Sequence, residues 1–124
     1  MNNLLAVMIG GAFGSAGRYL VGTAFLRTYG PGFPWGTLAV NLIGGLLMGI
    51  LVGVLARLSA GGEQARVLLG VGVLGGFTTF SAFGLETFLM IDKGNFGLAL
   101  TYIAASVIGA VALTGVGVFA VRAL

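Results

Sequence analysis

The chain has 124 residues, of which 58% are hydrophobic and only 7% are charged. Soluble domains carry roughly 25% charged residues, so this composition excludes an ordinary soluble domain, a disordered chain and a nucleic-acid-binding protein. The sequence contains neither histidine nor cysteine, which removes the usual general base, the thiolate nucleophile and the common zinc ligands. We therefore expect an integral membrane protein that is not an enzyme.

Four apolar stretches have the length of about 20 residues that a membrane span needs. We predict spans at residues 4–26, 35–56, 67–91 and 96–121, joined by short polar or turn-rich connections. Since backbone groups in lipid must bond to one another, these stretches are predicted to be four α-helices of a single domain, residues 1–124. No basic segment precedes the first stretch, so we expect a span there and not a cleaved signal peptide.

The cations near the predicted span ends give almost no bias in membrane orientation. Three fall on each side: Arg57, Arg66 and Arg122 on one, and Arg18, Arg27 and Lys93 on the other. Lysine and arginine normally favour the cytoplasmic side. The balance is therefore compatible with insertion in both orientations, and equally with orientation by other means.

Small residues form a stripe along the second span, where Thr37, Asn41, Gly45, Gly49 and Gly53 follow one another at a spacing of four. Residues so spaced share one helix face, and a smooth face allows close helix packing and self-association. The amide of Asn41 near mid-span either bonds a neighbouring helix or lines an ion path. The position of this residue alone leaves both interpretations open.

The third span contains the strongest local signal, the sequence GGFTTFS at residues 75–81. Paired glycines and threonines are poor choices for a helix interior, and interrupted membrane helices free backbone groups that coordinate ions. The alternative interpretation is a glycine-rich helix crossing. Beyond the break, Phe80 and Phe83 are three apart and share a face, where their positive ring edges could favour an anion.

Three further polar features lie inside the predicted spans. Glu86 is the only carboxylate within a span, and it is either a proton-coupling group or, the interpretation we prefer, a structural hydrogen-bond partner. Tyr102 and Ser106 are four apart and give a weak hydroxyl stripe. Arg18 either extends to the interface or faces an aqueous vestibule, where it would raise the local anion concentration.

Three motifs make the sequence similar to the Fluc (CrcB) fluoride channels: GGAFGSAGRY at residues 10–19, GTLAVNLIG at 36–44 and GGFTTFS at 75–81. The resemblance covers essentially the whole chain, and the last two motifs in this order are highly specific. It implies an all-α membrane protein whose third of four helices is broken mid-membrane, assembled as an antiparallel, dual-topology homodimer. It also implies passive export of cytoplasmic fluoride across the bacterial inner membrane, and thereby fluoride resistance.

The resemblance further implies roles for individual residues. The fluoride path would be lined by Asn41, Phe80, Phe83, Ser81, Thr37, Tyr102 and Ser106. Arg18 would be the vestibule arginine, and backbone carbonyls of Gly75 and Thr78 from each subunit would hold one structural Na⁺ at the dimer interface. Ala82 stands where the family commonly has threonine or serine, and Ala110 falls where a hydroxyl would extend the stripe on the fourth span. We therefore expect a shortened polar track.

Two other functions are compatible with the size of the chain. A small multidrug-type transporter is also a four-span, dual-topology dimer, but it exchanges protons for cations through a carboxylate in its first helix, and the first span here has none. A noncatalytic membrane assembly subunit would explain the glycines, but not Asn41 or the TTFS run at residues 78–81. The expected partners are fluoride, a second copy of the chain and membrane lipid, with no nucleic acid.

Overall fold

The computed structural model describes residues 2–124, which are entirely helical apart from short connections. The helical segments follow one another in this order: α1 Asn3–Tyr29, α2 Trp35–Leu55, α3 Gly62–Ala65, a π-helix Arg66–Leu74, α4 Gly75–Phe77, α5 Phe80–Asp92 and α6 Phe96–Arg122. The segments from α3 to α5 follow one another along a single run, which is helical except at Thr78 and Thr79.

Four helical runs in the described part of the chain are long and apolar enough to cross a membrane: Asn3–Tyr29, Trp35–Leu55, Gly62–Asp92 and Phe96–Arg122. The prediction of an all-helical chain with four such helices is confirmed, and the chain is a multi-pass membrane protein. The third run begins at Gly62, before the predicted start at residue 67, because polar residues of the preceding loop already form the short helix α3.

The ends of the helices follow local rules of chain chemistry. Asn2 caps α1, since its side-chain Oδ1 accepts a hydrogen bond from the backbone N–H of Leu4 at 2.7 Å. Gly30 ends the same helix with a φ of 75°, a left-handed conformation that glycine adopts without steric cost. Gly61 and Gly94 have similar φ values and turn the chain into the third and fourth runs.

Two tight helix pairings hold the four runs together. Helix α2 packs chiefly on α6, and α1 packs chiefly on the π-helix and α4. In the first pairing, a Cβ atom on Gly49 would collide with the Thr114 carbonyl oxygen. In the second, a Cβ atom on Gly14 would collide with the Val73 carbonyl oxygen. The glycine faces predicted from the sequence are therefore used for backbone-to-backbone contact within one chain.

The third run changes its helical form along its length. Nine residues, Arg66–Leu74, form the π-helix, which the sequence pattern did not predict. Helix α4 then ends at Phe77, and Thr78 and Thr79 are extended, with ψ values of 159° and 123°. Gly75 and Gly76 remain helical, so the non-helical residues are the two β-branched threonines, whose branched side chains favour extended backbone.

Candidate functional site

The extended residues between α4 and α5 are held from the side by Asn41 of α2. The Asn41 side-chain Nδ2 donates to the Thr79 carbonyl oxygen at 3.0 Å, and the Thr79 N–H donates to Asn41 Oδ1 at 2.8 Å. One amide side chain therefore satisfies both backbone groups of Thr79. Asn41 therefore bonds a neighbouring membrane run at its non-helical residue, and Nδ2 keeps one N–H that this pairing does not use.

Thr79 also begins the helix that follows. Its Oγ1 accepts a hydrogen bond from the Ala82 N–H at 3.2 Å, as an N-cap residue does. The same hydroxyl lies 3.4 Å from the Ser81 Oγ, and Ser81 is exposed. Thr79 was not among the predicted site residues, although its position as a β-branched residue before an aromatic helix start was a usable signal.

The interruption changes the partners of the carbonyl oxygens around it. In a continuous helix the Gly75 carbonyl accepts from the Thr79 N–H and the Thr78 carbonyl from the Ala82 N–H. Here the Thr79 N–H is bound to Asn41, and the Ala82 N–H is bound to Thr79 Oγ1. The Gly75 and Thr78 carbonyls, both predicted metal ligands, have thus lost their usual donors.

The Gly76 carbonyl, which lies between these two in sequence, has a partner from α1. Arg18 Nε donates to the Gly76 oxygen at 3.1 Å, across 58 residues of chain. In a continuous helix that oxygen would accept from the Phe80 N–H, so the guanidinium takes the place of a helical donor. A Cβ atom on Gly76 would lie 2.7 Å from the Gly11 oxygen, so only glycine permits this approach of the two backbones.

Beside the interruption lies a cavity of ≈ 390 Å³ without charged side chains in its lining. Its walls include Asn41, Thr79, Phe80, Phe83 and Ser106. Four of these were predicted for the fluoride path, and the structure brings them together. Among these lining residues Phe80 is by far the most exposed, at 82% in the single chain.

The two phenylalanines of this cavity begin a series of aromatic contacts that continues beyond its lining. The ring centroids of Phe80 and Phe83 are 5.6 Å apart with planes tilted by 41°, and those of Phe83 and Tyr102 are 5.1 Å apart. Phe33, from the α1–α2 connection, meets Tyr102 edge to face at 5.3 Å. The edge-to-face pair points a positive ring edge at a negative ring face, whereas the other two pairs are tilted.

Ser106 contributes a hydroxyl group without a protein partner. Its side chain is buried, and within the described chain its Oγ makes no hydrogen bond. A buried hydroxyl that lacks a partner costs about 1–3 kcal/mol, so a polar group that enters the cavity would find a donor available there. Ser106 was predicted to lie on the polar track, and this is where a hydroxyl donor remains free.

Thr37 and Tyr102, also predicted for the track, instead bond Glu86. The Thr37 hydroxyl donates to Glu86 Oε2 at 3.0 Å, and the Tyr102 hydroxyl donates to Oε1 at 3.2 Å. Glu86 therefore makes the structural hydrogen bonds that we preferred in the sequence analysis. Both hydroxyl donors are occupied by the carboxylate, which faces a second cavity of ≈ 370 Å³ lined also by Lys93.

Arg18 lies in a separate, third cavity of ≈ 280 Å³. Thr79 lines this cavity as well as the uncharged one, so the interrupted segment separates the two spaces. Ala82 also lines the Arg18 cavity, and Ala110 lines the uncharged one. Each places a methyl group where a hydroxyl would have added a donor.

The chain matches known proteins over nearly its whole length. The family model described as CrcB-like protein, Camphor Resistance (CrcB), matches residues 5–118. A protein of Sphingopyxis alaskensis named "Fluoride-specific ion channel FluC" is 52% identical over 124 residues, covering 100% of this chain and 98% of its own. Proteins of the same name from Caulobacter vibrioides and Caulobacter sp. are 56% and 57% identical over 123 residues, covering 98% of this chain and 97% and 96% of their own.

These similarities decide between the functions compared in the sequence analysis. The relatives are named as ion channels, which confirms the prediction that the chain is not an enzyme and gives no support to a multidrug-type transporter. The interrupted third run, the paired Asn41 and Thr79 and the uncharged aromatic cavity all lie within the matched residues. The chain belongs to the CrcB family.

Proposed function

We propose that the protein is a fluoride-selective channel that exports cytoplasmic fluoride passively and so confers fluoride resistance. The observation that carries this proposal is the full-length identity of 46–57% to proteins named as fluoride-specific ion channels. The uncharged cavity supports it physically. Fluoride has to exchange water for other donors, and conduction requires binding that is weak enough for the ion to leave.

The proposed fluoride path runs through the uncharged cavity and along the hydroxyl groups beside it. Its lining residues are Asn41, Phe80, Phe83, Ser81, Thr37, Tyr102 and Ser106. The free Oγ of Ser106 supports its role as a donor, and the mutual contact of Phe80 and Phe83 supports two successive ring edges. At Thr37 and Tyr102, fluoride has to compete with Glu86 for the same two hydroxyl donors.

We further propose that two chains form an antiparallel, dual-topology homodimer, surrounded by lipid in the bacterial inner membrane. The equal division of cations between the two sides supports dual topology. The exposure of Phe80 supports a dimer, because a single chain leaves this apolar lining residue of the cavity largely uncovered. In such a dimer the third run of each chain is broken mid-membrane at Thr78 and Thr79.

A structural Na⁺ at the dimer interface completes the proposal. Backbone carbonyl oxygens are hard ligands that suit a hard cation, and those of Gly75 and Thr78 have lost their usual helical donors. Two from each chain would supply four ligands. When bound, the cation would neutralise the carbonyl dipoles that the two interruptions bring together, and so would stabilise the dimer.

Fluoride efflux from liposomes that contain the pure protein tests the function directly. We expect rapid passive release of fluoride down its gradient, little release of chloride, and no requirement for a proton gradient. Arg18 is proposed to raise the anion concentration in the vestibule, so fluoride flux should fall modestly as ionic strength rises. Equal release of chloride and fluoride from the same liposomes would refute selectivity and with it the assignment.

A further inference from the structure

We propose that Arg18 is a positioning residue that holds the interrupted segment in place through the Gly76 carbonyl, and thereby sets the affinity of the proposed cation site. This inference rests on the proposed function for its cation. Its structural part, the attachment of α1 to the end of α4, depends only on residues of the described chain. It gives Arg18 a task besides the attraction of anions in the vestibule.

The bond between Arg18 and Gly76 joins two closely packed backbones. Arg18 Nε donates to the Gly76 oxygen at 3.1 Å, and the side chain is half-buried. Gly76 and Gly14 allow the backbones of α4 and α1 to approach so closely that a Cβ atom at either position would collide with the other helix. The guanidinium is planar and fixed in its geometry, so it constrains the carbonyl that it binds.

The interrupted segment is held from two sides. Asn41 of α2 binds both backbone groups of Thr79, and Arg18 of α1 binds Gly76. Residues 77 and 78 lie between these two attachments. Because a peptide unit is planar, a bound Gly76 carbonyl orients the whole 76–77 unit, which is joined through the Gly76 Cα to the unit that carries the Gly75 oxygen.

The carbonyl oxygens at the end of α4 have different partners. Arg18 donates to the Gly76 carbonyl oxygen, whereas the carbonyl oxygens of Gly75 and Thr78 have lost their helical donors. A cation at a helix C-terminus is favoured by the negative end of the helix dipole. The arginine therefore satisfies the Gly76 carbonyl and leaves the carbonyl oxygens of Gly75 and Thr78 available to a metal ion.

Electrostatics and positioning predict opposite signs for the loss of this arginine. A guanidinium close to a Na⁺ site repels the ion, so a purely electrostatic effect would make Na⁺ bind more tightly in Arg18→Gln. Loss of a positioning contact around a metal site instead weakens binding, typically by about 10-fold to 100-fold. The direction of the change in Na⁺ affinity thus distinguishes the two roles, independently of channel activity.

The experiment uses the pure full-length protein in lipid nanodiscs, with wild type, Arg18→Gln, Arg18→Lys and the control Arg27→Gln. Arg27 also lies on α1 and is exposed. Thermal stability is measured over a range of NaCl concentrations, with N-methylglucamine chloride keeping ionic strength constant. The concentration that gives half of the stabilisation should rise by about 10-fold or more in Arg18→Gln and remain unchanged in Arg27→Gln.

Hydrogen exchange over residues 77–81 provides the second measurement and requires no cation. Exchange in Arg18→Gln should be faster than in wild type, and Arg18→Lys should lie between them in both measurements, because lysine retains the charge but not the planar fork. If Arg18→Gln does not fold, a weaker Na⁺ response and faster exchange in Arg18→Lys support the proposal. Unchanged exchange together with unchanged or tighter Na⁺ binding in the variants that fold would overturn it.

Fluoride conduction and the Na⁺ dependence of stability in wild type distinguish a failure of this inference from a failure of the proposed function. If wild type conducts fluoride but its stability does not depend on Na⁺, the proposed cation is refuted, and with it the effect of Arg18 on cation affinity. Exchange at residues 77–81 then still decides whether Arg18 holds the segment. If wild type does not conduct fluoride, the channel assignment fails, whereas the exchange result stands by itself.

Discussion

At the scale of single residues, the one side-chain amide of Asn41 both bonds the backbone of Thr79 and is proposed to face the fluoride path. Its oxygen and one N–H are bonded to the backbone of Thr79, which leaves a single N–H to face the uncharged cavity. The residue therefore connects the shape of the interrupted segment to the chemistry of the proposed path. A substitution at this position changes both at once.

We predict that Asn41→Asp abolishes fluoride flux. A carboxylate oxygen would face the Thr79 carbonyl in place of a donor, which loses a hydrogen bond worth about 1–3 kcal/mol in a half-buried setting, and its charge would repel an anion in the path. Asn2→Asp is the matched control, since aspartate caps a helix as well as asparagine does. Proteoliposome efflux measures the effect, and normal flux in Asn41→Asp would exclude Asn41 from the path.

Substitutions of the two cavity phenylalanines, Phe80 and Phe83, should show whether each ring contributes to fluoride conduction or only to stability. Phe83 is 9% exposed and belongs to the buried cluster around Tyr102, whereas Phe80 is 82% exposed. Replacement by isoleucine removes the ring edge at both positions. It should cost under about 1.5 kcal/mol of stability at Phe83 and less at Phe80. If the ring edge contributes about 1 kcal/mol, its loss at either position should lower fluoride flux roughly fivefold.

Phe88→Ile serves as the control for these variants, because Phe88 is exposed on α5 and does not line the uncharged cavity. Flux is measured in liposomes, and stability is measured from thermal unfolding in the same lipid. If both cavity variants conduct as well as wild type while Phe83→Ile loses stability, the rings serve only in packing.

At the scale of helices, glycines decide which pairs of elements touch. Gly49 of α2 lies against the Thr114 carbonyl, and Gly117 of α6 would place a Cβ atom 2.7 Å from the Ile50 nitrogen. Between them, Thr114 Oγ1 donates to the Gly45 carbonyl at 3.0 Å. This contact of α2 with α6 supports the helix that carries Asn41.

We predict that Gly49→Ala destabilises the protein by about 1–3 kcal/mol, the usual cost of overpacking, whereas Gly115→Ala does not. Gly115 lies on α6 two residues from Gly117, but a Cβ atom there would meet nothing within 4 Å of the same chain. Unfolding of both variants in mixed micelles measures the difference. Equal stability of the two would show that close approach of α2 and α6 does not limit stability.

Much of the helical architecture follows from the sequence, because apolar length and the need for internal backbone hydrogen bonds determine four helices. The π-helix was not predicted, since no local pattern in the sequence indicated it; the structure packs it against α1. The break was expected at Gly75–Thr78, but both glycines are helical and the extended residues are Thr78 and Thr79. Asn41 makes that conformation possible from another helix, and spacing along the chain does not reveal such a partner.

The sequence predicted four residues that lie together in the candidate site, but it did not predict the hydrogen-bond partners of the other site residues. Asn41, Phe80, Phe83 and Ser106 line one cavity, as their predicted roles require. By contrast, Thr37 and Tyr102 donate to Glu86, and Arg18 binds the Gly76 backbone. Each of these bonds joins residues at least 16 positions apart, so helical periodicity alone could not predict them.

At the scale of the whole molecule, the proposed dual topology, with which the balance of three cations on each side is compatible, predicts both orientations in one membrane. The natural sequence has no cysteine, so a single Gly62→Cys substitution provides a unique label site near the start of the third run. We expect a membrane-impermeant maleimide to label part of the population from outside intact cells and the remainder only after lysis. Gly32→Cys, in the α1–α2 connection, should give the complementary result. Labelling from a single side would contradict dual topology.

Biased variants test whether function requires both orientations. Because lysine and arginine near span ends favour the cytoplasmic side, Gln64→Arg and Asn95→Arg should bias the chain toward opposite orientations. Each variant alone should then yield fewer antiparallel dimers and a lower fluoride flux, and expression of both together should restore flux, since each supplies the orientation that the other lacks. A parallel dimer would behave in the opposite way, because each biased variant would pair with itself and co-expression would add nothing. Fluoride resistance of cells that express the variants singly or together provides the measurement, with the Gly62→Cys label reporting orientation in the same cells.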